Sequence, residues 1–485
     1  MFLGIDIGTS SIKSVLVDGG DRVLCSATAA LEVSRPRPGF SEQDPAQWWA
    51  GVVATLDEIK AKAARELAAV TGIGLSGQMH GATLLDKAGA VLRPCILWND
   101  GRSTVECAEL EAAFPDLHRI TGNLAMPGFT APKLLWLRKH EPGIFARIAM
   151  VLLPKAYIRY RLTGDQVEEM SDAAGTLWLD TGKRAWSDAA LAAGGMTRAQ
   201  MPRLVEGSAV SGTLRSDLAQ RWGMARPPVV AGGAGDNAAG AIGLGAIRDG
   251  DAFLSLGTSG VLWVTTATFA PNPASAAHAF CHAIPDTWDQ MGVVLSAAAS
   301  LAWLSGVLED SEANLLAALG EAPTGPSPVT FLPYLTGERT PHNDAGIRGM
   351  FYGLSPDTGR AQLVQAVLEG VAFAFKDCRA ALEAAGSRIA AADVIGGGSR
   401  SRFWIRILAS VLDLPLHRLA EGETGAAFGA ARLGRMAATG ESPAAVCTPP
   451  QRLETVLPDR SLSAAYADAY RRYRNFYPAI KGALA

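Results

Sequence analysis

The stretch VVAGGAGDNAAG, from Val229 to Gly240, lies near the middle of the 485-residue chain. Its first three residues form a short apolar run typical of a buried strand, the glycines that follow predict a turn, and the small residues at its end predict the start of a helix. Glycine permits backbone conformations and close approaches that a side chain forbids. Because Asp236 follows such a turn and is the only charged residue of the stretch, we expect its carboxylate to point into a cleft.

Length and composition set broad limits on the rest of the chain. A sequence of 485 residues is too long for a single core, so two large domains are expected. The 48% apolar content is that of a globular protein. With 44 Lys and Arg against 47 Asp and Glu, the net charge of −3 gives no reason to expect nucleic acid or an anionic membrane as a partner.

Cysteine usage and the N-terminus indicate a cytoplasmic location. The six cysteines are scattered without metal-ligand spacing, which predicts buried, reduced thiols. The N-terminus reaches Asp6 without a basic lead, so no signal peptide is expected. The uncharged run from Met291 to Leu308 is rich in Ser, Gly and Ala, which favours a buried helix over a membrane span.

An internal repeat indicates that the two domains are alike. Residues 2–6 read as a strand, residues 8–10 as a Gly-Thr-Ser turn and residues 12–17 as a returning strand. The same arrangement surrounds residues 257–259, which lie 249 positions after residues 8–10. Two such units half a chain apart predict two like-folded domains, residues 1–244 and 245–485, with the boundary between Leu244 and Gly250.

Further patterns place the remaining motifs on elements. A helix is expected from Pro45 to Leu67, with Asp44 as its N-cap, and a strand at 70–75 delivers Met79 and His80 at its carboxyl end. The other predictions are a third antiparallel strand at 23–33, a hairpin at 82–97, a mostly helical region at 107–218, a strand and glycine turn at 394–399, and a Gly/Ala-rich stretch at 421–431 that packs against a flat surface.

These residue types suit phosphoryl transfer. Nucleotide phosphates need backbone N–H donors at close range, which two Gly-Thr-Ser turns and the turn at 396–399 can supply. The chain has no G-x-x-x-x-G-K-[ST] match, which excludes a P-loop enzyme. Asp6 would hold Mg²⁺ through waters, Asp236 would accept the proton of the attacking hydroxyl, and Lys13 with the turn hydroxyls would offset phosphate charge.

Longer motifs point to a known family. Residues 128–137 (GFTAPKLLWL), and residues 349–354 (GMFYGL) continued by 362–369 (QLVQAVLE), resemble the two signature sequences of the FGGY family of carbohydrate kinases. Segments 41–45, 77–81, 98–102, 171–176 and 337–342 are similar to those of the family members that phosphorylate D-xylulose. The resemblance runs from Met1 to about Ala431, and the residues beyond it add little.

The resemblance implies an α/β fold of two actin/hexokinase-like (ribonuclease H-like) ATPase domains with a cleft between them. It implies ATP and Mg²⁺ as cofactors and a sugar hydroxyl as the acceptor, with the first domain binding the sugar and carrying the base, and the second binding the nucleotide. D-xylulose is the implied sugar, while another ketose or polyol such as ribulose or glycerol is an open alternative. A homodimer is an open possibility.

The family's functional positions transfer to this chain residue by residue. The resemblance implies catalytic roles for Asp236 and Asp6, which would also be the metal-side carboxylates. It implies that the sugar site contains Met79, His80, Asp236 and Asn237. The positions implied at the phosphates and nucleotide are Thr9, Lys13, Gly257, Thr258, Gly397, Gly398 and Ser399.

Structural roles compete with these functional ones. Asp236 could simply cap the following helix, and His80, judged on the sequence alone, is better read as a hydrogen-bonded core histidine. Glu369 is expected to tie its helix to a loop, and Lys133 to lie at the surface or between domains. The role of His342 stays open.

Two alternatives concern an aromatic pair and the function itself. The pair Trp48-Trp49 is expected in core or lid packing more than on the sugar. The whole chain could also be a non-enzymatic or chaperone-like ATPase on the same scaffold. Such a protein would need a peptide-binding domain, and no residues are left over to build one.

Overall fold

The computed structural model describes residues 1–420 and 425–484. Up to residue 244 the strands are β1 (Phe2–Ile7), β2 (Ser11–Val17), β3 (Val23–Ala30), β4 (Glu42–Gln43), β5 (Gly72–Gly77), β6 (Thr83–Leu85), β7 (Cys95–Ile96), β8 (Met150–Leu152), β9 (Val167–Glu169), β10 (Leu179–Asp180), β11 (Ala185–Trp186), β12 (Arg203–Val205), β13 (Val210–Thr213), β14 (Val229–Ala231) and β15 (Ala234–Gly235). The helices of this half are α1 (Pro45–Ala68), α2 (Thr104–Ala113), α3 (Leu117–Thr121), α4 (Thr130–His140), α5 (Pro142–Phe145), α6 (Pro154–Thr163), α7 (Met170–Ala174), α8 (Asp188–Ala193), α9 (Ser216–Trp222) and α10 (Asp236–Leu244).

The second half continues the same numbering. Its strands are β16 (Ala252–Leu256), β17 (Gly260–Thr266), β18 (His278–Cys281), β19 (Trp288–Val294), β20 (Thr330–Leu332), β21 (Met350–Tyr352), β22 (Ala392–Ile395), β23 (Leu416–Leu419) and β24 (Arg452–Val456). Its helices are α11 (Ala298–Val307), α12 (Glu312–Ala317), α13 (Arg360–Ala384), α14 (Arg402–Leu412), α15 (Ala426–Thr439), α16 (Pro443–Val446) and α17 (Ser463–Leu484).

Each half is built on a seven-stranded sheet, and the two sheets share a layout. In the first, β1 pairs antiparallel with β2, β2 with β3, and β1 pairs parallel with β5, which pairs parallel with β14. In the second, β16 pairs antiparallel with β17, β17 with β19, and β16 pairs parallel with β22, which pairs parallel with β23. The duplication predicted from the two Gly-Thr-Ser turns is therefore confirmed.

The local predictions around the first sheet are largely confirmed. The meander is β1 to β3, and α1 begins at Pro45 with Asp44 as its N-cap, whose side chain accepts a hydrogen bond from the Ala46 N–H. The turn predicted within 82–97 forms, since the Asp86 N–H donates to the Ala90 oxygen. Its flanks meet in single antiparallel bridges, Leu85 with Val91 and Ala82 with Ile96, and the longer ladders join β6 to β8 and β7 to β4.

Two predictions of secondary structure were wrong. The region 107–218, expected to be mostly helical, also contains six short strands, β8 to β13, because two- to four-residue strands leave too little periodicity to detect. The run 291–308 is not one buried helix. It is the end of β19 followed by α11, and Trp303 and Val307 on that helix are exposed. No helix in the ranges 1–420 and 425–484 is long and apolar enough to cross a bilayer.

Helix α15 packs face-on across the first sheet and against α10. A Cβ added at Gly4 or Gly74 would overlap carbonyl oxygens of α15, and one added at Gly429 would overlap the carbonyl oxygen of Ala239 on α10. The predicted close packing of a Gly/Ala-rich stretch on a flat surface is thus confirmed for residues 426–431, while residues 421–424 lie outside the described part. This contact joins the last third of the chain to the strand–turn–helix unit that carries Asp236.

The six cysteines, all within the described ranges, are free thiols, and five of them are buried, as predicted. The apolar core of the second half includes Tyr466 and Tyr473 of α17. The C-terminal residues, from which the sequence predicted little, therefore complete that core.

Candidate active site

Asp236 stands at the point where the central sheet of the first half gives way to α10. Gly233 has φ +76°, and a Cβ there would overlap the Leu75 oxygen, so only glycine fits. Gly235 is the N-cap and Asp236 the first helical residue. The predicted strand, glycine turn and helix are therefore all present, and the carboxylate lies at the helix N-terminus.

The Asp236 carboxylate is half-buried, and its pKa is raised from 3.8 to about 7. Burial is the larger cause and the negative charge of Asp6 the second, while hydrogen bonds from Asn237 act in the opposite direction. The Asn237 backbone N–H and Nδ2 both donate to Asp236 Oδ1, at 2.8 and 3.0 Å. A carboxyl group with a pKa near neutrality is suited to general acid–base chemistry.

Asp6 is the second carboxylate of the site and comes from the end of β1. Ser76 on the neighbouring strand β5 donates a hydrogen bond to Asp6 Oδ1 at 2.8 Å. Lys13 faces Asp6 across the β1–β2 ladder, and both side chains are half-buried. Sheet topology thus places Asp6 close enough to Asp236, 230 residues later in the chain, for its charge to raise the Asp236 pKa.

The first Gly-Thr-Ser turn is held in a polar network. Thr9 Oγ1 donates to Gln78 Oε1 at 3.0 Å and accepts from Trp98 Nε1 at 3.0 Å. The Thr9 carbonyl oxygen accepts from Gln43 Nε2 at 2.7 Å. Motif residues 43, 78 and 98, from three separate segments of the chain, therefore fix the turn, and Trp98, nearly half exposed, forms a wall beside it.

Met79 and His80 lie just after β5, and Met79 contacts the Asp236 turn. A Cβ added at Gly235 would lie within 3.0 Å of Met79 Cγ and Sδ, so the glycine allows these two segments to touch. His80 has φ +70° and its Nδ1 lies 2.7 Å from the Gly175 oxygen. Because a carbonyl oxygen only accepts, Nδ1 carries the proton and Nε2 is left as an acceptor.

His80 is a neutral imidazole between the two halves of the protein. Its pKa is lowered from 6.5 to about 3, mainly by burial and also by the charges of Lys133 and Arg339, while the hydrogen bond to Gly175 acts in the opposite direction. Its ring lies 4.5 Å from that of Phe129 and 6.2 Å from that of Phe280, which belongs to the second sheet. The competing structural role is therefore partly correct, since Nδ1 is hydrogen-bonded, while Nε2 has no hydrogen-bond partner among the described residues.

Lys133 is neither a surface nor an inter-domain residue, which corrects the sequence prediction. Its side chain is fully buried, and Nζ donates to the carbonyl oxygens of His80 at 3.0 Å and Gly128 at 2.7 Å. Burial lowers its pKa to about 7. Lys133 thus holds the backbone of the His80 motif in place.

The second Gly-Thr-Ser turn and the glycine turn after β22 come together. Gly396 has φ +88°, and a Cβ there would lie 2.7 Å from the Leu256 oxygen and 3.1 Å from the Gly257 nitrogen. Thr258, Ser259 and Gly397 are exposed, whereas Gly398 and Ser399 are half-buried. Two turns with accessible backbone groups therefore lie side by side, which is the arrangement a phosphate group requires.

The short helix α7 touches both ends of the first-domain site. Gly235 N–H donates to Ser171 Oγ at 3.0 Å, and the Gly175 oxygen that ends the helix accepts from His80. Glu169 is the N-cap of α7 and accepts from the backbone N–H groups of residues 171 and 172. Segment 171–176, noted in the sequence only as a motif, is therefore a bridge between Asp236 and His80.

Behind α7 lies a buried charge cluster that the sequence analysis missed. It consists of Lys155, Arg159, Glu168, Glu169 and Asp172, all 1% exposed or less. Lys155 Nζ is 2.6 Å from Glu168 Oε1 and 3.5 Å from both Glu169 and Asp172. Arg159 donates to the Gly232 carbonyl oxygen. Charged residues spaced four apart on a helix usually face solvent, so nothing local in the sequence indicated burial.

The fit of a divalent cation differs between the two acidic groups of the first half. Glu168, Glu169 and Asp172 have carboxylate oxygens close enough together to hold an ion, the only such group among the described residues. The Lys155 ammonium already lies among them, so the position of a cation is taken. Asp6 and Asp236 offer oxygen atoms at the cleft, and their mutual repulsion is what a divalent cation would relieve, so these two residues fit Mg²⁺.

The remaining structural alternatives are decided by contacts. Glu369 accepts hydrogen bonds from the Ser327 N–H and from Gln365, so it ties its helix to a loop as predicted. Trp48 is fully buried and donates to Gln43, which confirms core packing. His342 stacks on Tyr477 of α17, with ring centroids 3.6 Å apart.

Arg339 belongs to the motif at residues 337–342, from which no role for it was predicted. Its Nη1 lies 3.2 Å from His278 Nε2, and His278 Nδ1 lies 3.0 Å from Asn123 Oδ1. Arg339 therefore brings a positive charge from the second half close to His80, whose pKa it lowers.

Comparisons with known proteins agree with this geometry. Models of the N-terminal and C-terminal domains of the FGGY family of carbohydrate kinases match residues 1–243 and 252–438. A xylulose kinase of Escherichia coli K12 is 48% identical over 487 residues, covering 100% of each chain. The alignment thus continues beyond Ala431, further than the sequence analysis expected.

Solved structures agree equally well over the whole length. The crystal structure described as a xyloylose kinase from Brucella ovis is 54% identical with a TM-score of 0.98, and covers 99% of each chain. A xylulose kinase from Rhodospirillum rubrum is 32% identical with a TM-score of 0.91 and the same coverage. The predicted α/β architecture of two actin/hexokinase-like domains is thereby confirmed.

Proposed function

The chain belongs to the FGGY family of carbohydrate kinases, and from this premise we propose that it transfers the γ-phosphoryl group of ATP to D-xylulose, forming D-xylulose 5-phosphate. The choice of sugar is supported by xylulose kinases of Escherichia coli and Klebsiella pneumoniae that are 48% identical to this chain over its full length. The mechanism is supported by one observation above all: a carboxylate with a pKa near 7 adjoins the Met79–His80 motif through Gly235.

Asp236 is the proposed general base. Above pH 7 its carboxylate is ionised and accepts the proton of the attacking hydroxyl as that oxygen forms its bond to the γ-phosphorus and the bond to the β-phosphate oxygen breaks. Asn237, which donates twice to Oδ1, keeps the carboxylate oriented. His80 offers Nε2 as an acceptor to a second sugar hydroxyl, and Met79 forms an apolar wall.

The two Gly-Thr-Ser turns are the proposed phosphate-binding groups. Thr9 and Lys13 come from the first domain, and Gly257, Thr258 and the turn at Gly397, Gly398 and Ser399 from the second. Asp6 and Asp236 would hold Mg²⁺, which supplies positive charge beside the phosphates when bound. With ligands on both domains, closure of the cleft would bring the acceptor oxygen and phosphorus to the roughly 3–3.5 Å that transfer requires.

ADP release coupled to NADH oxidation, measured with D-xylulose, D-ribulose and glycerol, tests the proposal. We expect kcat/KM for D-xylulose to exceed the others by at least ~10-fold, since correctly placed hydroxyls discriminate strongly. ³¹P NMR should show a single phosphomonoester at the C5 oxygen. A higher kcat/KM with ribulose or glycerol would reassign the sugar, and ADP release unaffected by every acceptor would indicate a non-kinase ATPase.

A further inference from the structure

Helix α7 begins with a hydroxyl group placed between two fixed partners. Ser171 Oγ donates to Glu169 Oε1 at 2.8 Å and accepts from the Gly235 N–H at 3.0 Å. Ser171 is 1% exposed. Because its single proton is used toward the carboxylate, the hydroxyl presents only lone pairs to Gly235, which gives this contact one orientation.

Glu169 is itself held in place by several contacts. Its two oxygens accept from the Ser171 N–H at 2.7 Å and the Asp172 N–H at 2.8 Å, in addition to the Ser171 hydroxyl. Lys155 Nζ lies 3.5 Å away and offsets the negative charge of this fully buried carboxylate. Hydrogen bonds to a buried charge are stronger and shorter than neutral ones, so Glu169 is a firm anchor.

The other partner, Gly235, is the residue on which the direction of the base depends. It is the N-cap of α10, and Asp236 follows it directly. Met79 packs against its Cα side, and Arg159 donates to the Gly232 carbonyl oxygen at the start of the same turn. Because the Gly235 N–H is held by Ser171 and Met79 leaves no free space beside the Gly235 Cα, the backbone that leads into Asp236 is fixed.

We propose that Ser171 is a positioning residue for the general base. Its hydroxyl links the buried Lys155–Glu169 ion pair to the Gly235 N–H and thereby fixes the position of Asp236. The expected effect on kcat rests on the proposed function, whereas the expected effect on the backbone around Gly235 does not. It assigns Ser171 to the rate of transfer, not to sugar affinity, because the contact with His80 is made at the opposite end of α7, by Gly175.

Ser171→Ala is the test, with Ser211→Ala as the matched control. Ser211 is likewise buried, and its hydroxyl donates to the Val230 and Ala231 carbonyl oxygens at 2.9 Å on the strand before the turn. Both variants lose one buried hydroxyl in the same domain. We expect kcat with D-xylulose to fall about 10- to 100-fold in Ser171→Ala with KM nearly unchanged, since misplacement of a reacting group by 1 Å has effects of this size.

Hydrogen–deuterium exchange supplies a readout that does not depend on activity. Peptides covering residues 232–240 should exchange faster in Ser171→Ala than in the wild type or in Ser211→Ala. Equal exchange in the two variants, a kcat no lower than that of the control, or a KM that rises as much as kcat falls would each overturn the positioning role.

The two proposals fail in distinguishable ways. A wild-type protein that releases no ADP with D-xylulose contradicts the proposed function, and the exchange of residues 232–240 then decides on Ser171 alone. Should Ser171→Ala not fold, Glu169→Gln weakens the acceptor that holds the hydroxyl proton. It should lower kcat by a smaller factor with the same unchanged KM, and a wild-type kcat there would contradict the inference.

Discussion

Replacing Asp236 with asparagine should remove turnover and at the same time make the folded protein more stable at alkaline pH. The substitution keeps the size of the side chain and its oxygen acceptor for Asn237 but removes the proton acceptor. Loss of a positioned base typically lowers the rate by about 10²–10⁴. It also removes a carboxylate that burial and the Asp6 charge make costly to ionise.

The size and sign of the stability effect follow from the Asp236 pKa, which rises from 3.8 to about 7 on folding. Between these values the folded protein holds a proton that the unfolded chain releases, so the wild type loses stability as pH rises from about 4 to 7. At ~1.4 kcal/mol per pKa unit the loss has an upper limit of about 4 kcal/mol. The asparagine variant lacks this loss, so its advantage should be absent near pH 4 and complete near pH 8.

Thermal unfolding in EDTA without nucleotide, at pH 5 and pH 8, measures the effect. Asp289→Asn is the control, because Asp289 is a buried carboxyl whose oxygens have no hydrogen-bond partner among the described residues and whose pKa burial raises well above 3.8. Both variants should gain stability at high pH, and only Asp236→Asn should lose ADP release.

Two results would refute this reasoning separately. Turnover within 10-fold of the wild type in folded Asp236→Asn would remove Asp236 from the role of base. If the melting temperature of Asp236→Asn does not rise relative to that of the wild type between pH 5 and pH 8, the folded protein does not raise the pKa of the Asp236 carboxyl.

Other substitutions test the remaining parts of the site and fold. Asp6→Asn should raise the Mg²⁺ concentration needed for half-maximal rate and move the acidic limb of the pH–rate profile below 7, because the charge that raises the Asp236 pKa is gone; an unmoved limb would contradict the pairing. His80→Ala should raise the KM for D-xylulose by at least ~10-fold and leave sugar-independent ATP hydrolysis, and an unchanged KM would place the sugar elsewhere. Gly429→Ala should lower the free energy of unfolding, measured in denaturant, by at least ~1–3 kcal/mol, since the added Cβ would overlap a carbonyl oxygen of α10. Gly306→Ala on α11, where an added Cβ has no atom within 4 Å, should raise it by about 0.5–1 kcal/mol. Small-angle scattering should show a smaller radius of gyration with sugar and nucleotide bound, and no change in an active preparation would argue against domain closure.

The sequence by itself determined the features that depend on neighbouring residues. The apolar run and glycines before Asp236 specify a strand, a tight turn and a helix start, because backbone conformation is set within a few residues. The repeat of Gly-Thr-Ser after a strand, at Thr9 and Thr258, predicted two like domains, and the sheet pairings agree. Short strands such as β9 were missed because they are held by partners distant in the chain.

Only the tertiary structure decided which charges are buried and which carboxylates are neighbours. Lys133 and Lys155 have no sequence feature that separates them from surface lysines. Asp6 lies near Asp236 only because β1 and β15 both pair with β5 in one sheet. Residues from many parts of the chain together determine how deeply a charged group is buried and which charges lie near it. The Asp236 pKa near 7 and the anchoring of Ser171 are therefore properties of the folded molecule, which no local pattern in the sequence contains.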